Sequence, residues 1–289
     1  MRAEFKEKTY EKYFGFELAR RTNVTFSPDP CDEAFLGFDD AFFLELRWLW
    51  RLAPYIRRSR RSRLHGLRIS ELDHICDAIT KRCPPFKFNL FVQYKRPEYL
   101  SRSSALEWPC WQRPYFRYEI TPHQQGLLAR IEQQSHGRAA TIYASPAFWQ
   151  TNDLWDHVEA ERVVDQSNMA SVGRLNGHTR FSYCAAGSFG RGHSDPVDVE
   201  SPSFQQTLEG GMRQEGLSFN EHIKLAARRV NESVTGDELA ASLLAQARAA
   251  ILGGEGSEGE RPIEESLLYA LATIEAFRDA FDISFYAVG

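Results

Sequence analysis

Apolar residues recur along this chain with two different periods. Near the start, Tyr10, Tyr13, Phe14, Glu17, Leu18 and Arg21 fall three or four apart, so the first 22 residues are predicted to form one helix with an aromatic stripe. Glu17 sits inside that stripe, whereas Glu4, Glu7 and Glu11 can reach water. Ser27-Pro-Asp-Pro then breaks the chain. The segment 34–44 is too aromatic for a loop and is predicted as a buried strand carrying Asp39 and Asp40. Residues 46–52, with two tryptophans, fit helix and strand equally. Ser70-Glu-Leu-Asp opens a helix that runs to about Lys81, where Cys83-Pro-Pro stops it.

The strongest strand pattern is Lys87-Phe-Asn-Leu-Phe-Val-Gln-Tyr-Lys, ended by Pro97. A Trp/Pro-rich loop around Trp108 and Trp111 leads to a strand over 115–120. Thr121-Pro122 starts a helix reaching Ser135. A third short strand begins at Ala139 and ends at Pro146. Beyond it, the pattern predicts a short helix over 153–160 and strands over 162–172 and 178–185. A Gly/Ser/Pro-rich loop covers 187–202, and helices follow over 203–214, 218–232, 236–252 and 262–281. A mobile linker is expected over 253–259, and an edge strand over 283–288. Two regions follow: an α/β core over 1–146, and a mixed, then mainly helical, region over 147–289 that could serve dimerisation, a partner or a sensor.

Composition narrows the class. A chain of 289 residues, 43% hydrophobic, can bury a core without metal or disulfide staples. No apolar run approaches the roughly 18–20 residues that cross a bilayer. The charged start lacks an apolar leader segment, so a cytoplasmic protein with no membrane association is expected. The five cysteines are odd in number and contain no C-x-x-C pair, which fits reduced thiols better than a zinc or disulfide framework. Net charge is −4, but it is unevenly spread. Residues 47–102 hold 14 Lys/Arg against 4 acids, whereas 197–289 hold 16 acids against 7 bases. Such asymmetry suits a polyanion partner for the basic part, or two regions that neutralise each other.

The candidate chemistry joins a carboxylate on one strand to a lysine on another. Alternation puts Gln93 and Lys95 on one face of their strand and Tyr94 on the other. A lysine closing an apolar strand needs an anionic partner, and Asp39 and Glu17 are the candidates. Acids of this kind hold Mg²⁺ or Mn²⁺, which takes oxygen ligands and polarises phosphate. The arginine run Arg57, Arg58, Arg60, Arg61 and Arg63 places five guanidiniums in seven residues, enough to neutralise several phosphates.

The order helix with Glu17, strand with Gly-Phe-Asp39, strand with Gln93-Tyr-Lys95, strand, helix, strand resembles the PD-(D/E)xK restriction-endonuclease-like superfamily. The nearest look-alikes are Mrr-type and defence-associated nucleases, in which Gln replaces the second acid. The resemblance covers 1–146, interrupted by a basic insertion at about 46–86. It implies a mixed α/β fold of the restriction-endonuclease-like kind. By position, Asp39 would be the main metal ligand, Gln93 would stand at the second, Lys95 would be the catalytic lysine and Glu17 an accessory acid. The implied activity is a Mg²⁺- or Mn²⁺-dependent endonuclease of antiviral defence, acting on DNA in preference to RNA. A homodimer would supply two sites for the two strands of a duplex. The alternative is a catalytically inactive nucleic-acid-binding or scaffold subunit among other defence-system subunits.

Overall fold

The computed structural model describes residues 1–22, 24–27, 42–44, 84–251 and 267–289. They form a mixed α/β protein with two sheets and, among the described residues, eight α-helices. The chain divides into two compact units that are not contiguous in sequence. One holds 1–21 and 91–211, the other 22–90 and 212–289.

The first unit opens with α1 (Glu7–Arg20). Its five-stranded sheet is antiparallel, built from β4 (Glu98–Leu100), β5 (Tyr115–Glu119), β8 (Arg180–Tyr183), β9 (Phe189–His193) and β10 (Val197–Glu200) in the order β10-β9-β8-β5-β4. Register sets Arg117 opposite Ser182, Arg180 opposite His193, and Arg191 opposite Asp198. The unit's other strands are the last residues of β3 (Phe88–Tyr94), β6 (Ala139–Pro146) and β7 (Ser167–Ser171). Between them lie α2 (Trp108–Trp111), α3 (Pro122–Gln134) and α4 (Thr151–Glu159), and α5 (Phe204–Met212) supplies the unit's last residues, up to Gly211.

Side-chain alternation gives β3, β6 and β7 two different faces. On one, the Tyr10 and Phe14 rings of α1 lie 5.5 and 5.3 Å from Tyr94, and the Tyr10 hydroxyl donates to Ser167. On the other, the Tyr143 ring meets Tyr118 of the five-stranded sheet at 5.7 Å, and the Tyr183 hydroxyl donates to Ser145. Asn168 ties down the same face through the carbonyls of Ala185 and Phe189. The core of this unit is therefore a helix–sheet–sheet stack with tyrosines between the sheets.

In the second unit, β1 (Val24–Phe26) pairs with β2 (Phe42–Leu44) on one side and with β11 (Ser284–Val288) on the other. β11 also borders the start of β3, where the Lys87 amide donates to the Val288 carbonyl. α6 (Phe219–Val234) starts at a full capping box, Ser218 with Glu221, and buries Phe219, Ile223, Ala226, Ala227 and Val230 at helical spacing. Phe219 packs on Phe26 and Phe86. α7 (Glu238–Ile251) and α8 (Leu267–Phe281) pack beside it.

Several expectations need correction. The stretch 187–202 is not a loop: it holds β9 and β10. A Cβ at Gly190 would stand 2.2 Å from the Phe181 ring, and one at Gly192 2.5 Å from His178, so these glycines mark close strand packing. The 283–288 strand is not at an edge, since it lies between β1 and β3 with all five residues of β11 buried. Only 167–171 of the 162–172 strand is extended, and β4 follows Pro97 where no strand was expected. The compact units group 147–211 with 91–146, where β6 pairs with β7 and β5 with β8. The expected helix over 70–81 and the 253–259 linker lie outside the described residues. So does most of the basic insertion, and so do 34–41 of the expected strand.

Candidate functional site

Gln93 ends up where the strand pattern sends it, on the face of β3 opposite Tyr94 and in the core, 2% exposed. Its amide nitrogen donates to Gln124 Oε1 on α3. That contact fixes the amide, and its Oε1 is buried with no hydrogen-bond partner among the described residues. A buried acceptor left unmade costs about 1–3 kcal/mol, so the oxygen marks a place where a donor or cation would be stabilising.

Lys95 lies two residues on, on the same face and half-buried. Its backbone is stitched to β6, with its amide donating to Ala144 and its carbonyl accepting from Ser145 Oγ. The ammonium stands 5.5 Å from the centroid of the Tyr143 ring, a cation–π contact. Tyr143 is oriented in turn by a bond from its hydroxyl to Gln125 Oε1. Burial holds its phenol well above the ordinary tyrosine range, so the ring stays neutral beneath the ammonium.

Glu17 is placed differently. It lies on α1, the helix that covers the Tyr94 face, and accepts from the Val164 amide at 3.1 Å while pairing with Arg21. Arg21 also bonds Asp165 at 2.8 Å. Glu11, on the same helix, pairs with Lys8 at 2.9 Å. The structure thus brings Gln93 and Lys95 together and sets Glu17 on the other side of β3. Asp39, Arg57, Arg58, Arg60, Arg61 and Arg63 lie outside the described residues. Among the described residues, no group of three His, Cys, Asp or Glu side chains could hold a metal ion.

A second polar constellation, absent from the sequence reading, covers the outer face of the five-stranded sheet. Glu107 is 2% exposed. Its carboxylate accepts from the Tyr115 hydroxyl at 2.8 Å, from Arg117 at 3.0 Å and from Arg180 at 3.1 Å. Burial works against its ionised form, but the Tyr115 bond and Arg117 outweigh it and hold the carboxyl below the ordinary range. Tyr115 is pushed up to about 12 by burial and by the bond to Glu107. Beside it, the Trp111 indole donates to Ser182 Oγ at 2.8 Å, and Ser182 Oγ lies 2.7 Å from His193 Nε2. The available signal was period-two polar alternation: Arg117 and Glu119 on β5, Arg180 and Ser182 on β8, Arg191 and His193 on β9.

Among the described residues, no helix is long and apolar enough to cross a membrane. Compared with protein-family models, with curated proteins and with solved structures, the chain matches none.

Proposed function

We propose that this chain is a metal-dependent nuclease that hydrolyses nucleic-acid phosphodiesters, with Gln93 and Lys95 in its active site. The observation that supports it is the buried Gln93 Oε1, without a hydrogen-bond partner among the described residues, on the same strand face as the Lys95 ammonium. A neutral amide oxygen fits a hard cation as one of several oxygen ligands. Asp39 is the charged ligand suggested by the sequence pattern alone. Bound Mg²⁺ or Mn²⁺ would supply Lewis-acid polarisation of the phosphate and a more acidic bound water. Gln124 holds the Gln93 amide in one orientation. The Lys95 ammonium, resting on Tyr143, donates to a phosphate oxygen as negative charge develops on it. A role in antiviral defence, DNA as the preferred substrate, a homodimer and further defence subunits come with the family resemblance and belong to the same proposal.

A second reading, a nucleic-acid-binding subunit without catalysis, is favoured by the depth of Gln93 in the core. One assay separates the two. Purified protein is incubated with plasmid, linear duplex, single-stranded DNA and RNA, in Mg²⁺ and in Mn²⁺, beside Lys95→Ala, Gln93→Ala and Asp39→Ala. Metal-dependent cutting that falls at least about a hundredfold in Lys95→Ala and in Asp39→Ala is the expected result. Cutting untouched by either substitution overturns the site. Salt-sensitive binding with no cutting by any form supports the second reading.

A further inference from the structure

The connection 101–114 between β4 and β5 is a strap across the outer face of the five-stranded sheet. Glu107 anchors one part of it, through Tyr115, Arg117 and Arg180. The other part is held by Trp111 and Cys110: the Cys110 carbonyl accepts from Arg191 at 2.7 Å, and the Arg191 guanidinium lies 5.1 Å from the Trp111 ring. Beneath Trp111 runs a directed relay. An indole N–H can only donate, so Ser182 Oγ accepts from Trp111. Ser182 is fully buried, and where His193 Nε2, at 2.7 Å, carries no hydrogen the Ser182 hydroxyl donates to it. That direction requires a neutral His193 carrying its hydrogen on Nδ1.

We propose that the strap is a pH-sensitive latch, closed while His193 is neutral and released when it is protonated. A protonated Nε2 turns from acceptor to donor, which leaves the Ser182 hydroxyl hydrogen buried without an acceptor. The new charge would also stand among cations. These are Arg180, which faces His193 across the strand pair, and Arg191, two residues back on β9; the His178 ring lies nearby in the turn before β8. The nearest counter-charge is Glu107 on the strap, already shared by Arg117 and Arg180. Glu119 stands beyond Arg180, its exposed partner on β5. Asp198 on β10 is paired with Arg191 at 2.6 Å. Burial lowers the proton affinity of His193, Glu107 opposes that, and Arg180, His178 and Arg191 reinforce it. The latch therefore holds above the ordinary imidazole range, about pH 6.5, and weakens as the pH falls below it.

The latch shares no residue with the Gln93–Lys95 site. Its test is amide hydrogen exchange of the full chain, corrected for intrinsic rates, between about pH 7.5 and pH 5. The wild-type strap is expected to lose about tenfold in protection over that interval, while β6 and β7 change less than about twofold. His193→Gln keeps an acceptor but cannot titrate, and should abolish the pH dependence. Ser182→Ala should lower strap protection about equally at both ends. Parallel loss in the strap and in β6 and β7 of the wild type overturns the latch, as does an unchanged pH dependence in His193→Gln. If His193→Gln does not fold, the wild-type comparison and Ser182→Ala decide.

Discussion

Glu107 illustrates what a single side chain does in this protein. Its carboxylate is out of water, yet three donors face it, and two of them carry full charge. Removing one partner of such a group leaves the others unsatisfied, which is costlier than losing an exposed pair. The Arg117 and Arg180 side chains retain 22% and 34% exposure, so water softens the loss. Glu107→Gln should therefore destabilise the protein by about 2 kcal/mol in chemical denaturation at neutral pH. The sign with pH follows from the lowered carboxyl pKa. Its stabilisation is complete above the unfolded value, about 4.3, and is lost as the pH falls through the lower folded value. Glu107→Gln should flatten that part of the acid limb, and an acid limb identical to the wild type would show that the carboxylate contributes nothing there.

At the scale of elements, β9 is fixed by what it lacks. Gly190 faces Phe181 and the Ser182 carbonyl, and a Cβ would sit 2.2 Å from the ring and 2.6 Å from the backbone oxygen. The ring can shift, but the carbonyl is held in the β8–β9 ladder. Gly190→Ala should cost about 2–3 kcal/mol, read as a lower denaturant midpoint with an unchanged slope. Gly210 on α5 is the control, because a Cβ there meets nothing within 4 Å. Gly210→Ala should be neutral or stabilising by up to about 1 kcal/mol. Equal losses at both positions would mean that packing under β9 is not what fixes the strand.

The whole molecule is organised by contacts between residues far apart in sequence. Neither unit is a continuous segment. A fragment of residues 1–146 would keep β5 and β6 but lose β8 and β7, to which they pair. It would also strip β11 from β1. Open strand edges and exposed tyrosine faces make such a fragment prone to aggregate. The fragment should show no cooperative thermal transition by circular dichroism. A cooperative transition with a native-like β spectrum would mean that 1–146 is an independent domain after all.

The parts legible in the sequence are those held together locally. The Ser218–Glu221 capping box, the Thr121-Pro122 helix start and the apolar run of β3 each specify an element from residues within a few positions of one another. The shared face of Gln93 and Lys95 follows from strand geometry in the same way. Local pattern could not say which strands become neighbours. The packing of β11 between β1 and β3 joins residues more than 190 apart, and Glu107 meets Arg180 across 73 positions. The glycines of β9 looked like loop residues because the side chains that exclude a Cβ, Phe181 and His178, come from strand pairing and a turn rather than from adjacent sequence. Strand partners are chosen by burial and hydrogen-bond satisfaction over the whole folded chain, so only the tertiary structure could decide them.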